Sequence, residues 1–196
     1  ADPRPDGSPP NNWRASSGGR AWTLDPVSRQ YYLHNFLPSQ PDLNWWSEEV
    51  REEFDRILRF WFDRGAAGFR IDVCHAIVKD RELRDNPPAE PGDHPYVTRF
   101  GQRKVYNAER PEAHEILRRW RAIAEEYDPP RLLLGETYVL DVERLRPFYG
   151  DGDELQLAFN FVFLHSPFTA EGLRSVVEAS ERALDGPVAW PVLAVS

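Results

Sequence analysis

Two short apolar runs, Gly68-Phe69-Arg70-Ile71-Asp72-Val73 and Arg131-Leu132-Leu133-Leu134-Gly135-Glu136, constrain this chain more than any other feature. Each is too short between its turns to be a helix, and neither alternates apolar with polar, as expected of strands buried on both faces. Each also follows an amphipathic helical stretch. Before the first, Val50, Phe54, Ile57, Leu58 and Trp61 recur at helical spacing, with Glu48 and Glu49 at the N-terminal end and Gly65 as a stop. Before the second, a helix from about Pro111 to Tyr127 places Ile116, Trp120, Ile123 and Tyr127 on one face and ends at Asp128-Pro129-Pro130. The pattern continues with a strand near Leu155 to Phe161, a helix near Glu171 to Leu184 carrying Leu173, Val176, Val177 and Leu184, and an apolar run from Val192 to Val195. Such alternation predicts an α/β fold around a parallel sheet, either a TIM barrel or a doubly wound sheet. No glycine-rich phosphate loop follows any strand, which disfavours the nucleotide-binding version.

The intervening segments read as loops. Residues Ala1 to about Arg29 mix Pro, Gly, Ser and Asn with Trp13 and Trp22, an irregular stretch packed by aromatics, and Tyr31 to Leu37 has β-type composition. Lys79 to Gln102 is charged and proline-rich, a loop long enough to border a site. The length of 196 residues with 41% apolar content suits one core, and the net charge of −8 leaves no basic field for polyanions. Nucleic acid and anionic membrane are thereby disfavoured as partners, and a neutral substrate suits the surface. Cys74 is the single cysteine, so no internal disulfide exists, and a reducing, cytoplasmic setting is expected. No secretory signal is visible in the first residues, no membrane-length apolar run or Cys/His ligand run occurs in these 196 residues, and neither metal nor cofactor is expected. The absence of methionine, at position 1 included, suggests a piece cut from a longer chain.

Parallel α/β folds carry reactive groups at the C-terminal ends of their strands, where the loops converge. Asp72 and Glu136 both sit there. Neighbouring strands lie about 4.8 Å apart, so the two carboxyls can reach the roughly 5–5.5 Å spacing of retaining glycoside hydrolysis. Arg70, two residues before Asp72 and on the same side of the strand, would hold the aspartate ionised and oriented. Asp72 would then attack an anomeric carbon while Glu136 protonates the departing oxygen and afterwards deprotonates water. On spacing alone, a turn-forming aspartate with its salt-bridge arginine accounts for the same residues.

The residues themselves carry a resemblance. Gly68-Phe69-Arg70-Ile71-Asp72-Val73 resembles the fourth-strand signature of the α-amylase superfamily, glycoside hydrolase family 13. Gln40-Pro41-Asp42-Leu43-Asn44-Trp45 is similar to the segment closing the inserted subdomain in the α-glucosidase and oligo-1,6-glucosidase branch, and Gly135-Glu136-Thr137 to its fifth-strand acid/base motif. Asn11-Asn12-Trp13, Gly18 to Trp22 and Gln30 to His34 look like the tail of that subdomain, and Phe159-Asn160-Phe161 like the sixth strand. The resemblance implies a partial (β/α)8 barrel of about strands four to seven over residues 39–196, with residues 1–38 as the subdomain's tail. It implies release of terminal α-linked glucose from a short oligosaccharide or disaccharide, with retention. Within the same resemblance stand two alternatives: a sucrose or maltose isomerase, and a noncatalytic interaction protein of the kind some relatives supply to transporters.

Departures accompany the matches. The family's third-strand segment has no counterpart before Ala1, and Val192 to Ser196 looks like the lead-in to a seventh-strand Asn-His-Asp that the chain does not reach, so the isolated chain is expected to show little or no hydrolysis. By resemblance, His75 faces the leaving-group sugar and Val73 resembles the α-1,6-tolerant enzymes, while Phe159 and Tyr138, aromatics next to strand ends, are candidate sugar platforms. Trp45, Trp46, Trp61, Trp120 and Trp190 are expected in the core, Cys74 as packing, and Lys79-Asp80-Arg81-Glu82 as a solvated face.

Overall fold

The computed structural model describes residues 1–184 and 191–193. By contacts the chain divides into two units, Ala1–Val50 with Val78–Arg110, and Arg51–Ile77 with Pro111–Ser196.

The second unit holds the parallel sheet. Strands β3 (Gly68–Ile71), β4 (Leu132–Gly135), β5 (Leu157–Asn160) and β6 (Pro191–Leu193) pair in that order, every pair parallel. A doubly wound sheet reverses its strand order at a switch point, whereas a barrel adds each strand beside the last. The uninterrupted order is that of a barrel arc. Helix α1 (Glu48–Phe62) precedes β3, α3 (Glu112–Glu125) precedes β4, and α6 (Ala170–Ala183) precedes β6. On α3 the expected Ile116, Trp120 and Ile123 are buried and joined by Leu117, whereas the helix ends at Glu125 and leaves Tyr127 beyond it, half-buried. On α1 the inward row is Phe54, Leu58 and Phe62, spaced four apart. Trp61, expected on that face and in the core, lies about a hundred degrees round the helix from Phe62 and is 49% exposed. Phe62 instead packs on Phe69 and Tyr127, ring centroids 5.3 and 5.2 Å away.

Boundaries shift where side chains offer the backbone an alternative. The strand expected to run to Phe161 stops at Asn160, because the Asn160 carboxamide accepts from the Val162 N–H and caps α5 (Phe161–Leu164). A further short helix, α4 (Val142–Leu145), is capped by Asp141. The terminal apolar run forms β6 as far as Leu193; Ala194, Val195 and Trp190 lie outside the described residues.

In the first unit, β1 (Trp22–Leu24) and β2 (Tyr31–Leu33) form an antiparallel pair. Trp13 and Trp22 stack with centroids 6.0 Å apart over Ala15 and Ala21, so the aromatics of the irregular N-terminal stretch do build a core. The segment from Lys79 to Gln102, expected to be a long site-bordering loop, contains a helix, α2 (Pro95–Phe100). Pro95 occupies its first turn, the His94 ring caps it by accepting from the Tyr96 N–H, and Gly101 closes it at φ 67°. Nor are all four residues of Lys79-Asp80-Arg81-Glu82 a solvated face. Lys79 and Asp80 are 8% and 3% exposed, since Lys79 Nζ bonds Asp42 Oδ1 at 2.6 Å and Asp80 receives Arg84. A counter-ion offsets part of the desolvation cost of burying a charge, and it does so only through a contact that the local sequence does not show. Trp45 and Trp120 are buried as expected, and Trp46 is half-buried with its Nε1–H donating to the Lys79 carbonyl at 2.9 Å.

Candidate active site

The register of β3 and β4 pairs Ile71 with Gly135, so Asp72 and Glu136 leave the two strands side by side. The ladder continues beyond the strands: the Glu136 N–H donates to the Ile71 carbonyl at 2.9 Å and the Cys74 N–H to the Glu136 carbonyl at 3.0 Å. Gly135 makes this possible. A Cβ there would lie 2.4 Å from Leu155 Cδ1 and 2.9 Å from Cys74 Sγ, so only glycine lets β4 end against these side chains.

Arg70 brings the two carboxylates together. Its Nη1 lies 2.8 Å from Asp72 Oδ1 and its Nη2 2.8 Å from Glu136 Oε2, one planar fork serving both. Burial pulls the guanidinium's pKa down, but the charges of Glu136 and Asp72 outweigh it and hold it above its ordinary value. Asp72 is 71% exposed and Glu136 25%, so the aspartate is the accessible member and the glutamate the sheltered one.

Immediately after Asp72 the backbone turns sharply. Val73 adopts φ 47°, ψ 39°, a left-handed conformation that a β-branched residue rarely accepts. The Val73 N–H lies 3.1 Å from Glu136 Oε2, and the left-handed residue starts a 3₁₀ turn over Cys74–Ala76. Cys74 is fully buried there, and burial, then the charges of Glu136 and Glu154, push its thiol far up. It packs, as expected, and is not a nucleophile.

His75, Tyr138 and Phe159 gather on the same side. The Tyr138 N–H donates to His75 Nδ1 at 3.1 Å. The same Nδ1 stands 3.4 Å from the Glu136 carbonyl, so the imidazole sits beside the backbone of the residues that follow β4. The Tyr138 hydroxyl meets His165 Nε2 at 2.6 Å, and its ring lies 4.8 Å from Phe161, which in turn stands 5.9 Å from Phe159. The row Phe159, Phe161, Tyr138, His75 thus lies along the ends of β4 and β5. Sequence reasoning missed Phe161 and His165 as members of this row, because the run from Phe159 reads as continuous strand; the signal available was Asn160, a strong cap residue before an apolar four. It also missed Thr137, whose buried hydroxyl donates to the Phe159 carbonyl at 2.8 Å and ties β4's end to β5.

Among the described residues no group of three or more His, Cys, Asp or Glu could hold a metal, and no helix is long and apolar enough to cross a membrane.

Comparison with known proteins places this geometry in context. A family model described as alpha amylase, catalytic domain, matches residues 1–183. A probable alpha-glucosidase of Rhizobium meliloti (strain 1021) is 40% identical over 207 residues, covering 100% of this chain and 37% of the relative. An oligo-1,6-glucosidase of Heyndrickxia coagulans is 40% identical over 162 residues, covering 82% and 28%. Among solved structures, the alpha-glucosyl transfer enzyme XgtA matches with a TM-score of 0.87 at 36% identity, covering 100% of this chain and 37% of that one. The trehalulose synthase MutB from Pseudomonas mesoacidophila MX-45 matches at 0.80 and 28% identity, covering 97% and 34%. The chain spans only 28% to 37% of the length of these relatives.

Proposed function

Because the chain belongs to the alpha-amylase catalytic-domain family, as an arc of its barrel, we propose that it carries the nucleophile and acid/base of a retaining α-glucosidase acting on short oligosaccharides or disaccharides. The observation that carries this reading is the single guanidinium of Arg70 held between Asp72 and Glu136. Asp72, the more exposed carboxylate, attacks the anomeric carbon. The glycosidic bond breaks, its electron pair goes to the leaving oxygen, and Glu136 supplies the proton. Glu136 then takes a proton from water, whose oxygen displaces Asp72 and restores the starting configuration. Arg70, 2.8 Å from Asp72 Oδ1, keeps the aspartate aimed. His75, Tyr138 and Phe159 supply the apolar and hydrogen-bonding wall on which a sugar ring rests. A reducing, cytoplasmic setting belongs to the same reading, supported by the lone buried thiol of Cys74.

Transfer of the glucosyl unit to another hydroxyl is the second reading, favoured by the likeness to XgtA and MutB. Both readings share the covalent intermediate and differ in the acceptor. The test is product analysis on the full-length protein with maltose, isomaltose and sucrose, following the first anomer released by NMR. α-Glucose as the initial product supports retaining hydrolysis, new disaccharides support transfer, and β-glucose as the first product refutes the covalent role of Asp72.

A further inference from the structure

Arg14 and Arg20 face one another across an isolated antiparallel bridge in the first unit. Like charges placed directly opposite on paired strands are destabilising, and a carboxylate beside them would relieve the repulsion. Here none serves them: among the described residues neither arginine takes part in an ion pair. Both line a hollow of about 380 Å³ that also contains Arg4, and no Asp or Glu is among its lining residues. In a chain with 32 acidic and 24 basic residues, a hollow lined by three arginines and no carboxylate is opposite in sign to the whole.

The hollow is built rather than incidental. The turn between the two arginines is closed by the Gly18 N–H to the Ala15 carbonyl at 3.0 Å and the Ala15 N–H to the Gly19 carbonyl at 3.2 Å, with Gly18 and Gly19 at φ 100° and 77°. The Arg14 N–H is held by Gln102 Oε1 at 3.1 Å. Arg4 is fixed by Nε–H to the Pro10 carbonyl at 3.0 Å and by Nη2 to Asp85 at 2.9 Å, which consumes one face of its fork and offsets its charge. The remaining excess comes from Arg14 and Arg20, whose guanidiniums suit bidentate binding of a tetrahedral oxyanion.

We propose that this hollow is an anion site for a phosphate group, free or carried on a sugar, bridged by Arg14 and Arg20. The site is independent of the glycosidic reading, since it uses none of the residues assigned to the reaction. Bound phosphate replaces the missing carboxylate and removes the repulsion across the bridge. The floor of the hollow reports on occupancy: Asn11 lines it, and its Oδ1 accepts both the Trp13 N–H at 3.0 Å and the Trp22 Nε1–H at 2.7 Å.

The test is titration of the full chain with inorganic phosphate and, separately, glucose 6-phosphate, at ionic strength held constant with KCl, read by tryptophan fluorescence and thermal shift. Both titrations are expected to saturate, with apparent affinity falling at least tenfold in R14Q/R20Q at unchanged circular dichroism. Saturation at least tenfold earlier with glucose 6-phosphate assigns the ligand as a sugar phosphate; equal saturation assigns the oxyanion alone. Should the double variant misfold, R14K keeps the charge but not the fork and is expected to bind severalfold more weakly. No saturable change beyond that of matched KCl, or equal affinity in the arginine variants, overturns the proposal.

Discussion

The N–H of Val73 points at the Glu136 carboxylate, 3.1 Å from Oε2, and Val73 itself holds a left-handed backbone conformation directly after Asp72. A β-branched residue in that region costs roughly 1–2 kcal/mol. A locally disfavoured conformation is therefore kept at the point where the two carboxylates meet.

Replacing Val73 separates strain from side-chain packing. Both Val73→Gly and Val73→Ala remove the isopropyl group, but only glycine relieves the backbone. Val73→Gly is expected to be the more stable by about 1 kcal/mol in urea unfolding. Equal stabilities would show that the conformation carries no strain.

Arg70→Lys replaces a fork with a point charge. One ammonium cannot lie 2.8 Å from both Asp72 and Glu136 as two nitrogens of one plane do. On the proposed assignment kcat of the full-length protein falls about 10²-fold, as misplacement of a reacting group by an ångström can cause. KM should change less. Steady-state kinetics on an aryl α-glucoside checks this, and an unchanged kcat removes Arg70 from the machinery.

Gly135→Ala introduces a methyl group 2.4 Å from Leu155 Cδ1 and 2.9 Å from Cys74 Sγ. Overpacking at such a site costs about 1–3 kcal/mol. Because Glu136 follows directly, activity should drop with stability. A variant as stable as the parent would mean that β4 ends with more room than the packing shows.

Lys104 provides a pH test. Burial, then the charge of Lys79, brings its pKa down to about 8, although Phe100 and Tyr96 present ring faces that favour the cation. The unfolded chain holds the proton up to about pH 10.4. Between these values the unfolded state binds more protons, so this group's contribution to stability rises with pH and is lost as pH falls through about 8. The difference in unfolding free energy between the parent and Lys104→Met should move in the parent's favour from pH 8 to 10. A flat difference would show that Lys104 titrates normally.

Much of this was legible in the residues. The helical spacing of Ile116, Trp120 and Ile123 marks a face that the fold buries, and the runs ending at Asp72 and Glu136 are strands ending in carboxylates. Local signals failed where neighbours compete for the backbone or bury a charge. The Asn160 cap cut a strand short, His94 and Gly101 made a helix inside a proline-rich loop, and Asp42 took Lys79 out of the solvent. None of these is periodic, so a window along the chain does not register them.

The order of amino acids by itself determined that helices and strands alternate, that the strands lie parallel, and which two carboxylates stand at their ends. Those properties follow from periodicity and from the length of apolar runs, which are local. Only the tertiary structure decided that Ile71 lies opposite Gly135, that one guanidinium reaches both acids, and that Arg14 faces Arg20 without a counter-charge. Register and ion pairing join residues far apart in the chain, and their energies exist only once the backbone has brought those residues within a few ångströms.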